Sequence, residues 1–343
     1  MKTFFSLLVA LLIFSGCQSI ILGKEKASTP EHNFELFWQD FDEHYGLFTA
    51  RGWDWDSIYT EFHPRVTAQT TEDELWEIFK EMITYLDDSH TFVARPGEFF
   101  ASGSEDDEQV EREFSLDLIL NDYVELIDSS SEQGYWYGRF RDRDIGYLYL
   151  SGIDLENPAV MDEMLRAIGQ HAAIIIDIRN NTGGDDLIGA EIAGRFLQET
   201  TFVYSVQERN GPEHDDFAGK TNYYARQLGT ENFTKPVVLL TDLITVSAGE
   251  VMTIYLKANS QLTQIGTTTA GDFSDTGMHR FLPMGWIYQY SIMKFLLPDG
   301  TSLDGVGHIP DIYVRNTEAD IAAGNDVVLA RAFDFLWEEY NIR

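Results

Sequence analysis

The sequence predicts an α/β protein with a small helical part ahead of it, and three observations lead there. Short apolar runs of strand length recur at 146–150, 172–177, 236–241 and 262–265. Amphipathic stretches of helical length fall between them, at 158–169, 186–198 and 248–258. Strands alternating with helices build an α/β body. Ahead of that body, aromatic and apolar residues repeat at helical spacing, which predicts a bundle over 31–91.

The first element is a processing signal. Lys2 supplies a positive start, and Phe4 to Phe14 is apolar but too short for a settled bilayer span. Ser15-Gly16-Cys17 follows and resembles a bacterial lipoprotein signal, cut before Cys17 and lipidated there. The alternative is an ordinary secretory signal with an incidental cysteine. Residues 1–17 are therefore read as signal and 18–30 as a tether. Cys17 is the only cysteine, so the body holds no disulfide, cysteine cluster or cysteine nucleophile.

In the bundle, Phe34, Phe37, Trp38, Phe41 and Tyr45 predict a helix over 33–45. Leu75, Ile78, Phe79, Met82 and Leu86 predict a second over 72–86, with Thr71 and Glu74 able to form a capping box. Trp53, Trp55 and Tyr59 are read as core. Residues 92–134 form a linking segment, with an acidic loop over 101–111 and a strand near 115–127. The body spans 135–338. It adds a strand at 135–140, a hairpin over 281–297 turning near Gly285, and a final helix over 325–338. The polar stretch 207–234 is a lid or a surface decoration.

Asp and Glu number 57 against 24 Lys and Arg, a formal charge of -33. Such a surface repels nucleic acid and anionic headgroups and favours cationic substrates. No H-E-x-x-H or helical histidine pair occurs, so a metal hydrolase has little support, and no cofactor is implied.

Three short segments could carry chemistry. Ser247 follows a strand and precedes a helix, where free N–H groups favour a developing anion. Taken alone, the simpler reading is a helix N-cap. Gly183-Gly184 follows the run Ile174 to Ile176, and glycines there let a backbone N–H face a ligand. With the N–H of Ala248, either glycine could complete a two-donor oxyanion hole; a plain strand-to-helix turn is the alternative. His90 stands in Asp87-Asp88-Ser89-His90, where a solvated or capping histidine would also fit.

Four ordered motifs change that balance. Asp177 to Gly184 is similar to a D-x-R-x-N-x-G-G turn, and Thr245 to Glu250 to a serine nucleophile motif. Leu303 to Asp311 resembles L-E-G-x-G-x-x-P-D, and Asp87 to His90 resembles a histidine motif. Together they resemble the C-terminal-processing and tricorn group of serine peptidases, family S41. The resemblance covers roughly 31–100 and 135–315.

It implies a crotonase-like (ClpP/crotonase) α/β core behind the helical bundle, and a serine endopeptidase forming an acyl-enzyme on peptide substrates. One branch of the group uses a lysine base after a G-K pair, but here Asp272 stands in the lysine's place. The tricorn-like arrangement therefore implies Ser247 as nucleophile, His90 as base, Ser89 as its organiser and Asp304 in the place of a glutamate. Gly183, Gly184 and Ala248 become the oxyanion hole. Residues 92–134 are too short for an inserted PDZ domain. The expected setting is the bacterial cell envelope, anchored through Cys17 and facing the periplasm or exterior. The rival readings are a catalytically inactive peptide- or ligand-binding lipoprotein of the same fold, and an esterase.

Overall fold

The computed structural model describes residues 28–103, 107–275, 277 and 279–343. Cys17, the signal and tether residues 18–27 lie outside the described residues. Among the described residues no helix is long and apolar enough to cross a membrane.

Thr29 caps the first helix, α1 (Pro30–His44), by accepting the His32 N–H. Asp54 caps α2 (Trp55–Phe62), and the Thr71–Glu74 capping box opens α3 (Glu72–Thr84). The apolar faces of these helices meet in one aromatic core, where Phe37 stacks on Phe79 with centroids 4.1 Å apart. Trp55 is fully buried there, whereas Trp53, just before the cap, is 36% exposed with its ring edge-on to Tyr85.

This core also receives Leu282, Trp286, Tyr288 and Tyr290 from far along the chain. They arrive on a four-stranded sheet. Strands β1 (Phe92–Arg95) and β2 (Glu98–Ala101) pair beside β12 (Ile287–Gln289) and β11 (Arg280–Phe281).

The main sheet has seven strands. In spatial order they are β14 (Ile312–Tyr313), β10 (Leu262–Gly266), β9 (Val237–Thr241), β6 (Ala173–Asp177), β5 (Ile145–Leu150), β4 (Tyr135–Phe140) and β3 (Val124–Ser130). The first five run parallel, and β4 and β3 join antiparallel. Every residue of β5, β6 and β9 is buried, as expected for parallel strands covered on both faces. Helices α4 (Val160–Ile168), α5 (Asp186–Gly194) and α6 (Ala248–Leu256) cover one face, and α7 (Val327–Tyr340) covers the other.

A third sheet of β13 (Met293–Leu296), β7 (Thr201–Glu208) and β8 (Thr221–Ala225) packs beside α6. Strand β8 lies inside the stretch read as a loop, and β13 leaves the expected hairpin to pair with β7. The strand expected near 115–127 begins only at Val124. Ser115 caps a helical turn that continues as a π-helix over Ile119–Tyr123.

The crotonase-like core is corrected by this topology. The fold is a mixed α/β arrangement, with an antiparallel edge on the main sheet and two accessory sheets that gather strands from distant segments. Four short motifs specify local turns, but pairing between strands is set by tertiary packing that they do not contain.

Candidate active site

Strands β6 and β9 are parallel neighbours, so the turns leaving their carboxyl ends lie side by side. Ligand sites in open α/β sheets gather at such ends. The turn after β6 carries Gly183 and Gly184, and the turn after β9 carries Ser247.

Ser247 occupies the N-cap position of α6, yet its hydroxyl makes no capping hydrogen bond. Its backbone has φ +56° and ψ -124°, a conformation that costs a side-chain-bearing residue on the order of 1–3 kcal/mol. The surroundings hold it there. Its N–H donates to the Asp272 carbonyl at 3.1 Å, and its carbonyl accepts the Glu250 and Val251 N–H groups. An ordinary N-cap serine has an extended backbone and a bonded hydroxyl. Ser247 has neither.

Asn181 joins the two turns. Its carbonyl accepts the Val246 N–H at 3.1 Å, its Oδ1 accepts the Gly183 N–H at 3.0 Å, and its Nδ2 donates to the Leu150 carbonyl. The Gly183 N–H is thus already bonded. The N–H groups of Gly184 and Ala248 have no acceptor among the described residues. Asp177 and Asp326 pair with the buried Arg179, which braces the start of the glycine turn.

The helix first turn also anchors the loop that covers it. Glu250 accepts the Thr269 hydroxyl at 2.5 Å, the Gly271 N–H at 2.8 Å and the Asp272 N–H at 2.9 Å. Burial pushes its carboxyl up to about 8 against the pull of these donors. His308 bonds the Glu250 carbonyl through Nε2. Burial, then nearby Lys257, lowers it to about 3, so this histidine is neutral at neutral pH.

His90 comes from the turn between α3 and β1. Its N–H donates to Asp88 Oδ1 at 3.1 Å, and its carbonyl accepts Gln289 Nε2 at 3.2 Å. Its Nδ1 is buried, lies 3.9 Å from Asp88 Oδ1 and has no hydrogen-bond partner. Among the described residues no hydrogen bond joins His90 to Ser247. Burial acts to raise the Asp88 carboxyl, but Arg51, His90, Ser291 and Thr91 outweigh it and hold the group below its usual range.

Ser89 and Asp304 are not joined. The Ser89 N–H donates to the Asp272 carboxylate instead, at 3.0 Å. Asp304 is buried and accepts the Ser302 hydroxyl at 2.8 Å and the N–H groups of Phe273 and Phe295 at 3.3 and 3.4 Å. Burial pushes its carboxyl up to about 6. Arg51, Asn181 and Asp272 therefore structure this site without having been singled out as site residues. Asn181 carried a sequence signal as the asparagine of the glycine-turn motif, and Asp272 as the residue in the lysine's place; Arg51 carried none.

The chain is similar to known proteins in sequence and in fold. The chain matches Peptidase family S41 over residues 144–314 and the Tricorn protease C1 domain over 27–84. It is 27% identical over 199 residues to a carboxyl-terminal-processing protease of Synechocystis, which covers 57% of this chain and 44% of that protein. The chain thus spans less than half of that relative's length. A crystal structure of a Parabacteroides merdae protein with a proposed peptidase role superposes with a TM-score of 0.81 at 26% identity. It covers 90% of this chain and 97% of that one. The tricorn protease shares the fold with a TM-score of 0.55 at 16% identity, over 90% of this chain and 37% of its own. These similarities carry the same correction as the sheet topology: the fold is the mixed α/β arrangement of these proteins.

Proposed function

The chain belongs to peptidase family S41, and from that premise we propose that it is a serine endopeptidase of the bacterial cell envelope, acting through an acyl-enzyme. The observation that carries the proposal is Ser247, with an unbonded hydroxyl on a strained backbone at a helix start. In this reading the Ser247 hydroxyl attacks the scissile carbonyl. His90 Nε2 takes the serine proton and returns it to the leaving amine, because Nδ1 faces the Asp88 carboxylate. The free N–H groups of Gly184 and Ala248 receive the oxyanion, with Gly183 shaping the turn. Water then releases the acyl group with His90 again as base. Ser89 orients the histidine turn, and Asp304 stands in the place of the family's glutamate as a buried carboxyl held by Ser302. Cys17 carries the lipid anchor, and the substrate is a peptide or protein.

A second reading, a catalytically silent member that binds peptide, draws on the missing Ser247–His90 hydrogen bond. Catalytic hydrogen bonds often tighten only with substrate bound, so the enzyme reading stands ahead of it. Fluorophosphonate labelling of the purified mature protein, followed by peptide mapping, separates the two. A single adduct on Ser247 that is lost in His90→Ala supports the peptidase. A folded protein that takes no adduct sinks it. Intact-mass analysis of the membrane-extracted protein tests the anchor, since lipidation at Cys17 adds acyl mass to a chain that begins there.

A further inference from the structure

The segment that seats Ser247 and the turn that carries His90 are far apart in sequence, yet one residue touches both. The Asp272 carbonyl accepts the Ser247 N–H at 3.1 Å, and its carboxylate accepts the Ser89 N–H at 3.0 Å. Arg51 grips the same two segments. Its guanidinium donates to the Leu86 carbonyl at 3.3 Å and to the Asp87 carbonyl, both on the histidine turn. It also donates to the Gly271 carbonyl at 2.9 Å and pairs with the Asp272 carboxylate, both on the loop over the serine.

The pair is sealed from water, with side-chain exposures of 3% for Arg51 and 5% for Asp272. The closing segment leaves room for it. A β-carbon on Gly305 would come within 3.2 Å of Arg51 Cγ. A guanidinium is planar and rigid, so a fork shared between two segments fixes their separation as well as their attraction. Buried ion pairs add little stability over apolar side chains of similar size, so their clearest use is to select one register.

We infer that Arg51 and Asp272 are positioning residues that set the approach of His90 to Ser247, with Asp272 as the carboxylate that holds the Ser89–His90 turn. The inference rests on the reading of Ser247 as nucleophile and His90 as base. Asp272 stands where a serine–lysine arrangement would put its base. Here that position holds the base's turn in place and does not act as the base. Asp304 serves elsewhere, tying Ser302 to the backbone at Phe273 and Phe295.

The test uses the mature protein as wild type, as the double variant Arg51→Met/Asp272→Leu and as Arg51→Lys. The double variant removes both charges together, so neither is left buried alone. Arg51→Lys keeps the charge but cannot fork. Hydrogen–deuterium exchange is read on peptides covering 86–91 and 244–249, and fluorophosphonate labelling is read at Ser247. In both variants the two peptides are expected to lose protection together while β6 and β9 keep theirs. Labelling is expected to slow about a hundredfold, the scale that a displacement of about 1 Å carries. Loosening of only one peptide, or labelling within about twofold of wild type, would overturn the inference. If the wild type takes no label, the nucleophile reading fails. The exchange data then decide alone: joint loosening upholds the clip and independent behaviour rejects it.

Discussion

Gly183 and Ser247 pack so closely that a β-carbon on the glycine would lie 2.8 Å from the serine Cβ and 3.3 Å from its Oγ. The glycine also has φ +88°, which an L side chain rarely adopts. Gly183→Ala therefore meets both a clash and backbone strain. We expect it to lower stability by about 2–4 kcal/mol and to stop labelling of Ser247. Urea unfolding and fluorophosphonate labelling check this. A variant as stable and as reactive as the parent would show that the two turns are not pressed together in solution.

Ser247 pays for its position in backbone strain, and glycine would not. At φ +56°, ψ -124° glycine is at ease. Ser247→Gly is expected to raise stability by about 1 kcal/mol while abolishing turnover and labelling. Thermal melting of the variant beside wild type reads the gain. A loss of more than about 1 kcal/mol would contradict the strain described here.

Asp304 gives stability a pH dependence of known sign. Its carboxyl is raised from 3.8 in the unfolded chain to about 6 in the fold, chiefly by burial. The folded state therefore holds a proton that the unfolded state has released between these values. Stability falls as pH rises through that window, and the penalty is complete above about 6, amounting to about 3 kcal/mol. Asp304→Asn lacks this titration. The stability difference, wild type minus Asn variant, should drop as pH rises from about 4 to 7 and stay flat above. Urea titrations at four pH values measure it, and a difference that grows with pH would reverse the assignment.

Lys294 tests the choice of base. Its ammonium sits 3.6 Å over the Phe217 ring, and its Cα pairs with Gln207 in the third sheet. Burial lowers its pKa, an effect a serine–lysine enzyme would exploit, but among the described residues no hydrogen bond or ion pair joins it to either turn of the site. Lys294→Ala should label at Ser247 within about twofold of wild type, because His90, the proposed base, is left intact. A loss of about a hundredfold would move the base from His90 to this lysine.

Much of the framework was legible because its signals are local. Continuous apolar runs mark β5, β6 and β9, and the Thr71–Glu74 box marks the start of α3. Glycines and a serine at strand ends mark two turns that the parallel pairing of β6 and β9 then brings together. What was not legible depends on partners far along the chain. Strand β8 is largely exposed and polar, so only its pairing with β7 makes it a strand. Arg51 looks like any surface arginine until the fold places it among four acceptors from two other segments. Asp304 occupies the expected motif position, yet which hydroxyl it meets is decided by packing: Ser302, two residues away, rather than Ser89.

The wiring of the histidine turn also dictates a timetable. Ser89 is held by a residue 183 positions later, and His90 by one 199 positions later. Strand β1 cannot pair with β12 until that distant segment exists. During synthesis, then, the helices can form early, but their shared core and the histidine turn stay incomplete until the segment through Tyr290 has emerged. The proposed site is therefore incomplete in a nascent chain and comes together only once the segment carrying Asp272 and Gln289 has been made.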